Sequence, residues 1–277
     1  MKTIALPSGE RVPALGQGTW NMGDEAATRA EEIAALRLGL DLGLTLVDTA
    51  EMYGNGRSEE LVAEAIAGRR EEVFLVSKVL PQNASRRGTI AACEKSLKRL
   101  KTDRLDLYLL HWRGNVPFAE TLEAFARLQA DGKIRSHGVS NLDFDAMREW
   151  HSLKGGQGVA TDQVLYNLTR RGVEWDLAPW LREKRIPLMA YSPLEQARLA
   201  KHKGLAAFAG KHAMSPAQAA LAWLLARDNV IAIPKSGNRE RLRENAGALS
   251  LELTAGQLAE LERLFPPPSG AHALEML

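Results

Sequence analysis

Short apolar runs alternate with amphipathic stretches along most of this chain, and that alternation sets the predicted elements. Thr3 to Leu6, a turn at Pro7-Ser8-Gly9 and a second run over 12–15 predict a β-hairpin across residues 3–15. Gly16-Gln17-Gly18-Thr19 then reads as a strand end. Ile33, Leu36 and Leu40 fall at helical spacing and predict a helix over 28–42. Leu44, Leu46 and Val47 form a buried-strand run that stops at Asp48. Ser58 is placed to cap a helix over 59–67. Further strands are predicted over 73–76, 105–110, 134–139, 160–163, 186–190 and 230–233. Between them lie helices over 86–100, 117–131, 143–152 and 174–184, and one opened by Ser215-Pro216 that runs to Arg227. Two helices close the chain, the second begun by the capping box Thr254-x-x-Gln257 and broken at Pro266-Pro267-Pro268.

The strand exits fall near residues 18, 48, 78, 111, 140, 163, 191 and 234. Eight strands with helices between them, at the period of right-handed β-α-β units, predict an α/β fold. It is a single closed (β/α)8 or TIM barrel with an N-terminal hairpin across its open bottom and an extra C-terminal helix. The competing architecture is an open doubly wound sheet, which needs a glycine-rich first turn. G-Q-G-T-W-N has Asn21 where a dinucleotide fingerprint has its last glycine, so the barrel is preferred. No linker or low-complexity stretch divides residues 1–277, which read as one domain.

Composition narrows the partners. With 277 residues and 36 basic against 34 acidic side chains, the formal charge of +2 is too balanced for nucleic acid or an anionic membrane. The one cysteine, Cys93, reads as a packing residue, and no apolar run is long enough for a membrane span. Pro7, Ser8 and Gly9 stand where a secretory signal needs its apolar core, so a cytoplasmic protein is expected. The six histidines show no paired ligand spacing and no metal site is expected; His202 and His212 read as helix-surface residues. Arg69-Arg70 and Arg86-Arg87 read as solvated.

In a barrel of this kind the chemistry lies at the carboxyl ends of the strands. Asp48 with Tyr53, Lys78, His111, Ser140 with Asn141, Gln163, Tyr191 and Lys235 all follow apolar strand runs, which puts them within reach of one cavity. Any one of them could be a helix cap or a solvated end; their repetition at one rim argues for a site. A phenol has a pKa of about 10, too high for efficient proton transfer near neutrality, and a neighbouring ammonium lowers it. Lys78 can supply that ammonium, Asp48 can keep it charged and aimed, and His111 can orient a carbonyl oxygen. Such a pocket protonates a developing alkoxide. Trp20 and Trp112, beside strand exits, are expected to wall the substrate pocket.

At this point the chain resembles the aldo-keto reductases over essentially its whole length. Asp48, Tyr53, Lys78 and His111, with D-T-A-x-x-Y-G and the His-Trp pair, match that family's catalytic tetrad. The resemblance implies that Tyr53 is the general acid and that NADPH delivers hydride to a substrate carbonyl. It also implies that Ser140, Asn141 and Gln163 hold the nicotinamide amide and that Tyr191 stacks on the ring. Lys235, Ser236, Asn238 and Arg241 match the pocket for the 2′-phosphate, and Glu244 and Asn245 match residues facing adenine. Apart from the resemblance, loops after the last barrel strands often bind phosphate, and a lysine and an arginine there favour NADPH over NADH.

A-L-G-Q-G-T-W, L-V-D-T-A-E-M-Y, Y-L-L-H-W and M-A-Y-S-P-L are similar to stretches of bacterial family members that reduce methylglyoxal and related 2-oxoaldehydes. The loop after His111 and the tail after Phe265 are short where larger members embrace bulky ligands, which predicts an open site. A monomer is expected. Two other readings compete. Lys78 could form a Schiff base with a carbonyl substrate, although Asp48 favours the charged lysine that this chemistry avoids. Alternatively the barrel could be an NADPH-binding sensor with little turnover, as reductase-like subunits of potassium channels suggest by analogy.

Overall fold

The computed structural model describes residues 2–277. Strands β1 (Thr3–Ala5) and β2 (Arg11–Pro13) pair antiparallel, with Ile4 opposite Val12. Both side chains join the buried core, and β2 leads straight into the amino-terminal end of the barrel sheet. The predicted hairpin therefore stands at the end of the barrel away from the strand exits.

Eight parallel strands follow in chain order: β3 (Gln17–Gly18), β4 (Leu46–Asp48), β5 (Phe74–Val79), β6 (Leu105–Leu110), β7 (Ile134–Ser140), β8 (Val159–Leu165), β9 (Leu188–Tyr191) and β10 (Val230–Ala232). The first and last are joined as well. Gly16 N–H donates to Ala232 O at 2.8 Å, Ala232 N–H to Ala14 O at 2.9 Å and Gly18 N–H to Pro234 O at 3.0 Å, which closes the barrel. Close packing of this first strand against both of its neighbours explains its glycines. A Cβ on Gly16 would stand 2.7 Å from Leu46 Cδ2, and one on Gly18 would stand 2.9 Å from Ile233 O. β5, β6 and β8 are buried along their whole lengths, as parallel strands covered on both faces must be.

The covering helices are α1 (Arg29–Asp41), α2 (Arg57–Ala65), α3 (Arg86–Leu100), α4 (Phe118–Ala130), α5 (Phe144–Ser152), α6 (Leu177–Lys184), α7 (Lys203–Lys211), α8 (Pro216–Leu225), α9 (Arg239–Gly247) and α10 (Ala255–Leu264). Capping boxes start α8 at Ser215 and α10 at Thr254. The sequence reading omits α7, so the barrel carries two extra helices rather than one; α7 sits in the long crossover from β9 to β10. Leu205, Phe208 and Ala209 give α7 a buried stripe, but the helix is short and holds two glycines, which blurs its periodicity.

Two smaller expectations are corrected and a third, His202 as a helix-surface residue, is refined. Ser58 lies inside α2 rather than at its cap, because Gly54, Asn55 and Gly56 take left-handed conformations and start the helix earlier. Its hydroxyl instead donates to Thr19 Oγ1 at 2.8 Å, tying α2 to the exit of β3. His202 caps α7, its Nδ1 accepting from Leu205 N–H at 3.1 Å. Arg70 is largely buried and paired with Asp106 at 2.8 Å, so it is not a solvated charge. No helix among the described residues is long and apolar enough to cross a membrane.

Candidate active site

Every polar residue singled out at a strand exit lies at the carboxyl end of the barrel. Asp48 ends β4, Lys78 is the second-last residue of β5, His111 follows β6, Ser140 ends β7 and Tyr191 ends β9. The short β4 run delivers Asp48 to the rim while keeping it 2% exposed. The left-handed turn at Gly54 to Gly56 folds Tyr53 back over it.

Lys78 is fully buried, and its three N–H donors are all engaged. Nζ donates to Asp48 Oδ2 at 2.8 Å, to the Thr49 carbonyl at 2.9 Å and to Tyr53 Oη at 3.1 Å. Burial works against the lysine charge, but Asp48 and Tyr53 more than offset it and the pKa is raised. The charged lysine is therefore the resting form, which disfavours the Schiff-base reading. Burial also raises the Tyr53 pKa; Lys78 pulls it down and Asp48 pushes it up, and the net direction is upward. The expected acidification by Lys78 is present but outweighed by desolvation, so the phenol keeps its proton at neutral pH.

His111 packs edge-on to Tyr53, ring centroids 5.9 Å apart, and leans on Trp112 at 4.7 Å. Burial, with help from Lys78, drives its pKa down to about 2. The imidazole is neutral across the working range, and its Nδ1 is buried without a protein partner.

Beside this cluster the amides interlock. Gln163 Nε2 donates to Asp48 Oδ1 at 2.7 Å, and Ser140 Oγ donates to the Gln163 carbonyl at 2.8 Å. Asn141, held at φ +56°, donates from Nδ2 to the His111 carbonyl at 3.1 Å and accepts from the Tyr191 hydroxyl at 3.0 Å. A cleft of about 700 Å³ runs from here to the start of α9. Its far end is lined by Lys235, Ser236, Asn238, Arg241, Glu244 and Asn245. Asn238 is also the N-cap of α9, its Oδ1 accepting from Arg241 N–H at 3.0 Å, so part of its side chain is committed to the helix. Arg239 is held by Glu31 at 3.6 Å, whereas Lys235 and Arg241 have no carboxylate within ion-pair reach among the described residues. Two free cations at a helix N-terminus suit an anionic group. Trp20 and Trp112 also line the cleft.

The sequence reading misses three contributors. The loop 192–201 after β9 lines the cleft with Leu194, Gln196 and Lys201 among others. Met52 stands at the mouth. The tail is short but contributes to the site: Met276 and Leu277, both about half exposed, line the cleft, and Leu277 N–H reaches the Tyr191 hydroxyl at 3.4 Å. The only local hint was the return of apolar residues at Leu274, Met276 and Leu277 after a stretch rich in proline and small residues. Among the described residues no cluster of three or more His, Cys, Asp or Glu side chains is placed to hold a metal.

Residues 14–265 match the family model described as the aldo/keto reductase family. The chain is 50% identical to methylglyoxal reductase YeaE of Escherichia coli, over all of this chain and 99% of that one. It is 34% identical to the glyoxal reductase of Bacillus subtilis, covering 95% and 92% of the two. The crystal structure of an aldo/keto reductase from Klebsiella pneumoniae in complex with NADP and acetate superposes with a TM-score of 0.97. The identity there is 48%, over 100% of this chain and 99% of that one. With its barrel, its rim of polar strand exits and these matches along the whole chain, the protein belongs to the aldo/keto reductase family.

Proposed function

We propose that this enzyme is an NADPH-dependent reductase that converts aldehydes and ketones to alcohols, with small 2-oxoaldehydes such as methylglyoxal as its substrates. One observation carries the reading: the Tyr53 hydroxyl, at the head of the cleft, is hydrogen-bonded at 3.1 Å to a fully buried lysine that is itself paired with Asp48 at 2.8 Å. Relatives named for methylglyoxal and glyoxal reduction support the substrate class, and the NADP-bound relative supports the coenzyme.

The donor set fits a 2′-phosphorylated dinucleotide. Ser140, Asn141 and Gln163 would hold the nicotinamide amide, Tyr191 would stack on the ring, and Glu244 with Asn245 would face adenine. Lys235 and Arg241, aided by Ser236, Asn238 and the α9 N-terminus, would take the phosphate. When bound, NADPH supplies the hydride. The chain's own residues do the rest. His111, kept neutral by burial, donates a hydrogen bond that orients the carbonyl oxygen toward Tyr53. Tyr53 Oη gives its proton to that oxygen as negative charge develops on it. Lys78 donates to the phenolate left behind, and Asp48 keeps Lys78 charged; the proton is restored from solvent. Trp20, Trp112 and Met52 would give the near side an apolar wall. A monomer in the cytoplasm completes the reading.

Spectrophotometric NADPH oxidation across methylglyoxal, aromatic aldehydes, sugars and diketogluconate, compared by kcat/KM, tests it. Tyr53→Phe should still bind NADPH and lose nearly all turnover. Tight NADPH binding with negligible reduction of any of these carbonyls by the unmodified protein would overturn it.

A further inference from the structure

Arg170 lies in the loop after β8, outside the catalytic cluster, yet its guanidinium joins two segments that both line the cleft. Nε and Nη2 donate to Glu195 Oε1 at 3.0 and 2.9 Å, and Nη1 donates to Glu275 Oε1 at 2.6 Å. Glu195 belongs to the loop 192–201 and is almost fully buried. Burial disfavours its charge, but hydrogen bonds from Arg170 and Asn167 hold the carboxyl below the ordinary range. That loop needs an anchor. Ser192, Glu195, Gln196 and Ala197 all have positive φ, a conformation that side chains with a Cβ resist. Asn167 Nδ2 helps by donating to the Ser192 carbonyl at 2.9 Å and to Glu195 Oε2 at 2.8 Å. Glu275 immediately precedes Met276 and Leu277, which line the cleft, and Leu277 N–H meets the hydroxyl of Tyr191.

We propose that Arg170 is a positioning residue that clasps both walls, setting the 192–201 loop through Glu195 and the 274–277 segment through Glu275. Because the 192–201 loop directly follows Tyr191, which would stack on the nicotinamide, and the 274–277 segment lines the same cleft, the clasp links coenzyme binding to substrate fit, and in that respect it rests on the reductase reading above. The planar guanidinium can serve both carboxylates at once because its donors point in different directions. The two arms differ in strength. Glu195 is buried and twice contacted, whereas Glu275 is 42% exposed and holds one hydrogen bond. Loss of the outer arm should therefore change binding by no more than about fivefold, and salt should weaken it.

The test uses the full chain with Glu275→Gln, Arg170→Gln and Arg170→Lys. Glu64→Gln, which breaks the remote pair with Arg29, serves as control. Hydrogen–deuterium exchange reads the walls without requiring turnover. Glu275→Gln should speed exchange over 270–277 alone, and Arg170→Gln over both 192–201 and 270–277. Arg170→Lys, with a single ammonium, should restore one segment better than the other. In steady-state assays at low salt, Glu275→Gln should raise the KM for an aromatic aldehyde about three- to fivefold while leaving the NADPH Kd within twofold. Arg170→Gln should raise both. High salt should carry the parent's aldehyde KM toward that of Glu275→Gln and leave the variant's own value flat. Parent-like exchange in Arg170→Gln, or a change in melting temperature with no change in either wall, overturns the clasp. A parent protein that shows the exchange pattern but oxidises no NADPH would overturn the reductase reading and leave the clasp standing.

Discussion

Replacing Asp48 with Asn removes one charge from the centre of the site while keeping its shape and one acceptor. In the parent, Lys78 Nζ lies 2.8 Å from Asp48 Oδ2 and both side chains are out of solvent. At an effective dielectric of about 20, that separation corresponds to roughly 6 kcal/mol of gross attraction, much of it offset by the cost of desolvating both ions. Removing one partner of such a pair typically costs about 3–5 kcal/mol, because the other charge is left buried and unmatched. Lys78 has an escape: it can give up its proton. From an ordinary pKa of about 10.5, that costs roughly 5 kcal/mol at pH 7, which caps the loss.

The escape fixes the pH dependence. In the parent the folded Lys78 pKa is raised above its ordinary value. Its contribution to stability is therefore fully present below about pH 10 and fades only as pH rises through the higher folded value. In Asp48→Asn, Tyr53 alone is left to offset burial, and the folded pKa is expected to fall below the unfolded one. The unfolded chain then binds the extra proton, so the variant should gain about 1.4 kcal/mol per pH unit relative to the parent between pH 7 and 10. A neutral lysine also withdraws its support from the Tyr53 phenolate, and kcat should fall about 10²–10⁴-fold at pH 7. Urea unfolding at pH 7, 8 and 9, with kcat at each, measures both effects. If the stability deficit stays constant over that range and kcat remains within tenfold of the parent, the charge pair is not what prepares Tyr53.

The pH profile of carbonyl reduction by the parent should be level from pH 5 to 8. His111 is pushed down to about 2, and Tyr53 is raised by burial, so it loses its proton only in the alkaline range; a kinetic inflection near pH 6.5 assignable to His111 would contradict this. Lys235→Ala and Arg241→Ala should each weaken NADPH binding roughly ten- to hundredfold, as expected for a charge-assisted hydrogen bond of about 1.5–3 kcal/mol, and leave NADH nearly unaffected. Fluorescence titration with both coenzymes separates the cases, and equal turnover with both at low concentration by the parent would refute the NADPH preference. Cys93 is buried and its thiol is raised to about 12 by desolvation, so a chromogenic thiol reagent should label it only on unfolding. Stoichiometric labelling of native protein within minutes would show that the packing around α3 is looser than described.

The rim was legible in the sequence because barrel geometry turns a local pattern into a spatial one. An apolar run places the next polar residue at the carboxyl end whatever the rest of the chain does, and Asp48, Lys78, His111, Ser140 and Tyr191 each follow such a run. Signals that depend on backbone sign were harder to read. Ser58 looks like a cap until Gly54, Asn55 and Gly56 turn left-handed and begin α2 early. The ledger of the phenol's acidity was also out of reach, since residue types identify Lys78 as a helper but not how deeply the pair is buried. Least legible were the contacts that join the walls of the cleft. Arg170 meets Glu275 across 105 positions of sequence and Glu195 across 25, joined by no shared element or periodicity. Such pairs follow from the closed barrel, which brings the loops after β8 and β9 and the final segment over one cleft. The walls of the cleft therefore rest on loop and tail residues, while the proton-transfer cluster beneath rests on strand ends and on the short turn that carries Tyr53.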